Sequence, residues 1–249
     1  MSAPLSGLRL LITGAGTGIG AAIAIAAAEA GAIVAVHSRQ HSSAAEALVE
    51  RLRRTGGFAV SLTADLLDRA ASRTLVPRAI ELLGGLDGLV NNAGGILDRN
   101  TIGELTDSDW DRTFELNAHA PFLLAQAAFA HMGRQRTGRI LNISSISVKF
   151  GGSSTSLHYA CAKAALETMT VGLAKAGAPY NVLVNTIRPG IIATELHSRT
   201  PEAEMRKRIE LIPVKRVGKP EEIAGMAVYL LSPASSFITG QVFSVSGGE

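Results

Sequence analysis

Apolar residues along this chain gather into short runs, separated by longer stretches with helical periodicity. Leu8–Thr13, Ile33–His37, Phe58–Thr63, Leu86–Val90, Gly138–Ser144, Asn181–Ile187 and Gln241–Ser246 are short enough for buried strands. Between them, Ala21–Ala30, Ser43–Arg54, Arg69–Leu83, Asp107–Arg136, Tyr159–Lys175 and Glu221–Leu231 read as helices. Strand alternating with helix is the pattern of a doubly wound parallel sheet with helices on both faces, so the fold class is α/β with seven strands. Two features interrupt the long fourth helix. Asn117 is a poor interior helix residue, and Pro121 predicts a kink or break.

No repeat, low-complexity tract or linker divides the chain, so residues 1–249 are expected to form one domain. The polar stretch Glu195–Val217 stands out, with Thr200-Pro201-Glu202 as a helix start. An insertion beside the carboxyl edge of the sheet predicts a substrate lid over about 195–217.

Composition narrows the function. With 47% hydrophobic and 18% charged residues the chain is globular. Its net charge of +3 comes from 24 basic residues interspersed with 21 acidic ones, with no basic block or aromatic interleaving, which argues against nucleic acid. No long uninterrupted apolar run suits a membrane span. The single cysteine, Cys161, excludes an internal disulfide, and no Cys/His cluster has zinc spacing. Together with the lack of a signal-like start, this leads us to expect a cytoplasmic, metal-free protein. Cys161 reads as a packed thiol, with a reactive one as the alternative.

The first strand breaks into Gly14-Ala-Gly-Thr-Gly-Ile-Gly20 and then a helix-forming run. Glycines permit close backbone approach, and a helix N-terminus offers free N–H groups to a pyrophosphate. Two registers fit: Gly14, Gly18, Gly20, or Gly16, Gly18, Ala21. The first is preferred because Gly14 directly follows the strand. This makes the sheet Rossmann-like. Where such folds carry a carboxylate for the ribose diol, the second strand here ends in Ser38-Arg39. A hydroxyl and a guanidinium suit a 2′-phosphate, so NADP(H) is expected, with NAD(H) the alternative if Arg39 is only a solvated loop residue. The fourth strand runs into Asn91-Asn92-Ala93-Gly94, small polar residues suited to a ligand edge or to a plain turn.

The chemistry is expected between Gly138 and Lys163. A buried strand ends in Ser144 and Ser145, a Gly/Ser-rich loop follows, and Tyr159 and Lys163 then sit one helical turn apart. A cation beside a phenol favours the phenolate, which makes tyrosine a usable acid or base. A serine hydroxyl can bond the oxygen on which charge develops. That set suits carbonyl reduction or its reverse.

In order, T-G-A-G-T-G-I-G, N-N-A-G, the helix asparagine, I-S-S, Y-A-C-A-K, R-P-G and I-T-G-Q-V resemble the classical short-chain dehydrogenase/reductase family over Thr13 to Gly248. The resemblance implies a tetrad. Tyr159 would exchange the proton, and Lys163 would lower its pKa and hold the nicotinamide ribose. Ser145, rather than Ser144, would polarise the substrate oxygen, and Asn117 would anchor a relay water. It also implies pyrophosphate contacts at Gly14, Thr17, Gly18 and Ile19, and an adenine contact at Asp65 with Leu66. A cofactor shelf would run over Asn91, Ala93 and Gly94. Pro189, Gly190, Ile192 and Thr194 would lie at the carboxamide. Two departures stand out. Thr17 occupies a place where NADP(H) members often carry a basic residue, and Ser246 one where aspartate is frequent, which is expected to affect packing of the chain end rather than chemistry.

The expected activity is therefore hydride transfer between NADP(H) and a small-molecule carbonyl or secondary alcohol. A 3-oxoacyl thioester, a sugar or polyol, a steroid and a small ketone all remain open as substrates. Arg134, Arg136 and Lys149 are a candidate docking patch for a carrier protein. A non-catalytic NADP(H)-binding regulator and a lyase or isomerase on the same fold are the alternatives. The family also implies a homotetramer, the expected state, or a dimer, built through the Tyr159 helix and the long helix before it. Ala164, Leu166, Met169 and Val171 are a candidate apolar face for it, although a helix packed on its own sheet would show the same pattern.

Overall fold

A computed structural model describes residues 3–40, 43–194 and 200–249. Seven parallel strands form one sheet: β1 (Arg9–Ile12), β2 (Ile33–Ser38), β3 (Ala59–Thr63), β4 (Gly88–Asn91), β5 (Gly138–Ile143), β6 (Val182–Pro189) and β7 (Val242–Val245). Their order is β3-β2-β1-β4-β5-β6-β7. The order reverses between β1 and β4. There the crossover helices diverge to opposite faces and leave a crevice at the strands' carboxyl ends.

The helices are α1 (Gly18–Glu29), α2 (Ser43–Arg54), α3 (Arg69–Leu83), α4 (Asp107–Phe114), α5 (Ala120–Gln135), α6 (Ser147–Phe150), α7 (Leu157–Gly177), α8 (Glu202–Leu211) and α9 (Pro220–Leu231). Strand side chains alternate between two cores. Leu10, Ile12, Val34 and Val36 pack with α1, α2 and α9. Leu11, Ala35 and Val184 pack with α3, α5 and residues of α7. Both faces of the sheet are covered, which is why its strands read as continuous apolar runs.

Three details differ from the sequence reading. α1 begins at Gly18, inside the glycine motif, rather than at Ala21. The long helix is not broken at Pro121. Instead a π turn, Glu115–His119, joins α4 to α5, and Pro121 sits in the first turn of α5, where a missing N–H costs little. The one-turn helix α6 lies where no element was expected. The proposed lid falls partly on residues 195–199, outside the described residues, and its helix is α8.

The helix α7 is tied to the sheet by buried polar contacts. Asn91 Nδ2 of β4 donates to Asn142 Oδ1 of β5 (2.9 Å), and Asn142 Nδ2 donates to Thr170 Oγ1 of α7 (2.8 Å). Thr170 Oγ1 also pairs with Thr186 Oγ1 of β6 (2.7 Å). All these residues are buried. Removing one member strands its neighbours' polar groups without water. Thr170→Val is expected to cost about 1–3 kcal/mol in urea unfolding. An unchanged unfolding midpoint would show that the ladder contributes nothing to stability.

Candidate active site

The crevice at the switch point is a cavity of about 630 Å³ that runs from the glycine turn to the start of α7. Its cofactor end is shaped by missing side chains. Gly14 has a φ of +61°, and a Cβ there would meet Ala93 Cα at 2.9 Å. A Cβ at Gly20 would lie 2.4 Å from Gly14 O and 2.5 Å from Asn92 Nδ2. The register Gly14, Gly18, Gly20 is therefore the one the backbone uses. Asn92 Nδ2 in turn donates to Thr13 O and Gly14 O, which locks the turn after β1 to the turn after β4.

From the other side, buried His37 holds the glycine turn. Its Nδ1 accepts the Gly14 N–H (3.2 Å), and the second ring nitrogen lies 3.0 Å from Ala64 O as its donor. Burial lowers the His37 pKa, which keeps this neutral form.

The start of α1 carries the open N–H groups that follow Thr17. Gly14, Thr17, Gly18 and Ile19 line the cavity, and Thr194 stands 3.3 Å from where a Gly18 Cβ would be. Ser38 and Arg39 lie at the end of β2, beside the same turn. Ser38 Oγ donates to Gln40 O (2.7 Å), while Arg39 is exposed, with no charge partner among the described residues. Asp65 is exposed at the end of β3, and its carboxylate accepts the Leu67 N–H. The Leu66 side chain is buried in the core, so only its main chain faces the edge. Asn91 is similar, with its side chain spent in the polar ladder, and Asn92 and Gly94 face the cavity instead. Pro189, Gly190 and Ile192 form the opposite wall. This glycine-cradled cleft beside a helix N-terminus fits a dinucleotide.

Asn117, Ser145, Tyr159 and Lys163 come together around the far end. Gly94 lies between two of them. A Cβ there would be 2.7 Å from Asn117 Oδ1 and 2.9 Å from Lys163 Nζ. Asn117 is fully buried in the π turn. Its Oδ1 accepts the Gly95 N–H, and its Nδ2 donates to Gly95 O and Thr113 O. An asparagine that bonds a helix carbonyl competes with the helix ladder, which explains why the widened turn falls here.

The two serines separate clearly. Ser144 Oγ donates to Glu167 Oε1 (2.6 Å), and Glu167 is also held by Arg188 Nε (2.9 Å) and Nη2 (2.5 Å). Ser145 Oγ instead accepts the Ser147 N–H (3.2 Å), and its hydroxyl acts on the Tyr159 phenol, lowering its pKa against the rise from burial.

Lys163 is buried and donates to Ile143 O (2.8 Å). Its Nζ lies 5.8 Å from the centre of the Tyr159 ring. Burial lowers its pKa to about 8, against the opposing pull of Glu167. The tyrosine departs from the sequence reading. Burial raises the Tyr159 pKa, and only the Ser145 hydrogen bond works against it. In the protein alone, Lys163 therefore faces the ring and a carbonyl rather than activating the phenol.

Several contributors were not singled out in the sequence. Glu167, Thr170, Asn142 and Arg188 position α7. Ile96, Arg99, Ser147, Phe150, Arg208, Leu211 and Glu249 line the substrate end. The signal for the first group was present: Lys163, Glu167 and Thr170 mark one face of an Ala-rich helix at i, i+4 and i+7.

The family model described as enoyl-(acyl carrier protein) reductase matches residues 14–249. The chain is 37% identical to a 3-oxoacyl-[acyl-carrier-protein] reductase of Aquifex aeolicus, covering 100% of this chain and 99% of the relative. It is 36% identical to glucose 1-dehydrogenase 2 of Bacillus subtilis, covering 100% and 96%. A short-chain dehydrogenase from Burkholderia cenocepacia, solved in complex with NADP, superposes with a TM-score of 0.92 at 33% identity, covering 98% of each chain. The chain belongs to the classical short-chain dehydrogenase/reductase family and is an oxidoreductase of that family.

Proposed function

We propose that the protein transfers a hydride between NADP(H) and a carbonyl or secondary alcohol, with Tyr159 as proton donor and acceptor. The observation that carries this reading is the meeting of Ser145, Tyr159 and Lys163 in the cavity that begins at the glycine turn. Bound NADPH supplies the hydride. Ser145 donates a hydrogen bond to the substrate oxygen, and Tyr159 delivers the proton as charge develops there. Lys163 holds the ribose hydroxyls and favours the phenolate. The Asn117 amide is already committed to Gly95 and Thr113, so a relay water would bind the main chain of the π turn. Asp65 with Leu66, and Asn91 through Gly94, edge the adenine and nicotinamide halves.

The complex of the Burkholderia relative with NADP supports the cofactor, as do Ser38 and Arg39 here. NAD(H) is the weaker alternative, since no carboxylate ends β2 to bond a ribose diol.

α8 supports the lid reading, because Arg208 and Leu211 line the cavity. A homotetramer formed through α5 and α7 fits the family. The face expected for it changes, however. Leu166 is wholly buried within the subunit and Val171 is exposed, so the two do not share one surface. The carrier-protein patch also changes. Arg134 and Arg136 precede β5 and Lys149 follows it, so the strand's length of about 20 Å separates them. Among the described residues no helix is long and apolar enough to cross a membrane. A cytoplasmic location rests on the single cysteine.

Tyr159→Phe should bind NADPH normally and lose about 10²- to 10⁴-fold in turnover. Normal turnover would remove Tyr159 as the acid. Arg39→Ala should weaken NADPH binding and leave NADH binding unchanged. Equal losses for both would remove the 2′-phosphate role. Lys163 loses its proton as pH rises through about 8. NADPH affinity should therefore fall above that pH in the wild type and stay flat in Lys163→Met. A pH-independent wild-type Kd would contradict this role.

A further inference from the structure

Two polar atoms in the substrate end of the cavity lack any partner among the described residues. Glu249 Oε2 and Ser147 Oγ are both buried and make no hydrogen bond to them. Both residues line the cavity that contains Tyr159 and Ser145. A buried acceptor left unpaired is costly, and a ligand donor would relieve that cost.

They stand on one wall. Ser147 is the first residue of α6, and its N–H donates to Ser145 Oγ (3.2 Å). Lys149 of the same turn donates from Nζ to the main-chain oxygen of Glu249 (2.7 Å). Ser246 Oγ donates to that same oxygen (3.2 Å). These contacts hold Glu249 against the end of β6, where its Oε2 would be 2.9 Å from a Cβ on Gly190. The next strand-end contact, Ile146 N–H to Pro189 O, joins this wall to the serine segment. Glycine at 190 thus leaves room for the carboxylate. Burial raises the Glu249 pKa, with the Lys149 charge and the Ile191 N–H opposing the rise.

We infer that the substrate is a polyhydroxylated carbonyl compound or its polyol, whose hydroxyls donate to Glu249 and bond Ser147 beside the reacting carbon. This rests on the hydride-transfer reading and names the substrate class of that same site. A carboxylate accepts from hydroxyls and gains nothing from an alkyl chain, so the wall disfavours an acyl thioester. It would also accept from an ammonium. Arg99 and Arg208 line the same cavity, however, and repel a cation. They leave room for an acidic sugar derivative.

The test uses the full-length enzyme with NADP⁺ and D-sorbitol or D-gluconate, and with NADPH and an acetoacetyl thioester. Turnover should favour a polyhydroxylated compound. Glu249→Gln keeps the shape and the Lys149 contact, and it should raise KM for that compound roughly tenfold or more while kcat changes little. Ser147→Ala, which removes a hydroxyl with no partner among the described residues, should raise the same KM. Preference for the thioester, or an unchanged KM in both variants, would overturn the substrate class and leave hydride transfer standing. Absence of turnover with every compound, despite NADPH binding, would overturn both.

Discussion

The site depends on how α7 is hung on the sheet. Lys163 bonds the carbonyl of Ile143, Glu167 receives Ser144 and Arg188, and Thr170 receives Asn142 and meets Thr186. These residues fall at i, i+4 and i+7, so they form one polar stripe facing β5 and β6. A helix packed by apolar contacts alone could slide or rotate with modest cost. Buried hydrogen bonds fix its register, because each shift strands several polar groups at once. Tyr159 is one turn before Lys163, so its position is set by the same stripe. Ser144 and Ser145 directly follow β5, so pinning Ser144 to Glu167 leaves Ser145 on the tyrosine's side.

The cofactor half of the cleft rests on a different constraint, the exclusion of side chains. Gly14 and Gly20 sit where any Cβ would strike the turn after β4 or the motif itself. Asn92 and His37 hold that turn from two sides. Gly94 repeats the principle where the cleft meets the candidate catalytic residues, between Asn117 and Lys163. The cleft is therefore built before a ligand arrives, which lowers the cost of ordering on binding.

Much of this was legible in the sequence. The seven strands, their alternation with helices and the glycine register all follow from periodicity and turn chemistry. Tyr159, Lys163 and a strand-end serine can be placed on neighbouring elements by their spacing, while the choice of Ser145 over Ser144 comes from the family resemblance. What escaped was set by tertiary contact. The π turn falls where the Asn117 side chain bonds the Thr113 carbonyl while also clamping Gly95, far away in sequence. A strand-end position suggests a ligand contact for Asn91, yet its side chain turns inward to Asn142. Leu166 was read as part of an outer face, yet it points into the subunit. Glu249 gave no signal, since only the folded chain brings it to Gly190. The effect of Lys163 on Tyr159 is expected from proximity, but in the protein alone burial raises the phenol's pKa and only Ser145 opposes it.

That last point supplies the most direct test. In the protein alone, burial raises the Tyr159 pKa and so favours its protonated form. On our proposal Lys163 would favour the phenolate once an oxidised, positively charged nicotinamide was held beside it. The measurement is the phenolate absorbance of the wild type minus that of Tyr159→Phe, followed across pH with and without NADP⁺. The account requires a Tyr159 pKa above the ordinary phenol value in the free protein and a clear fall on binding NADP⁺. A titration that NADP⁺ leaves unmoved, or a phenol already acidic in the free protein, would contradict it.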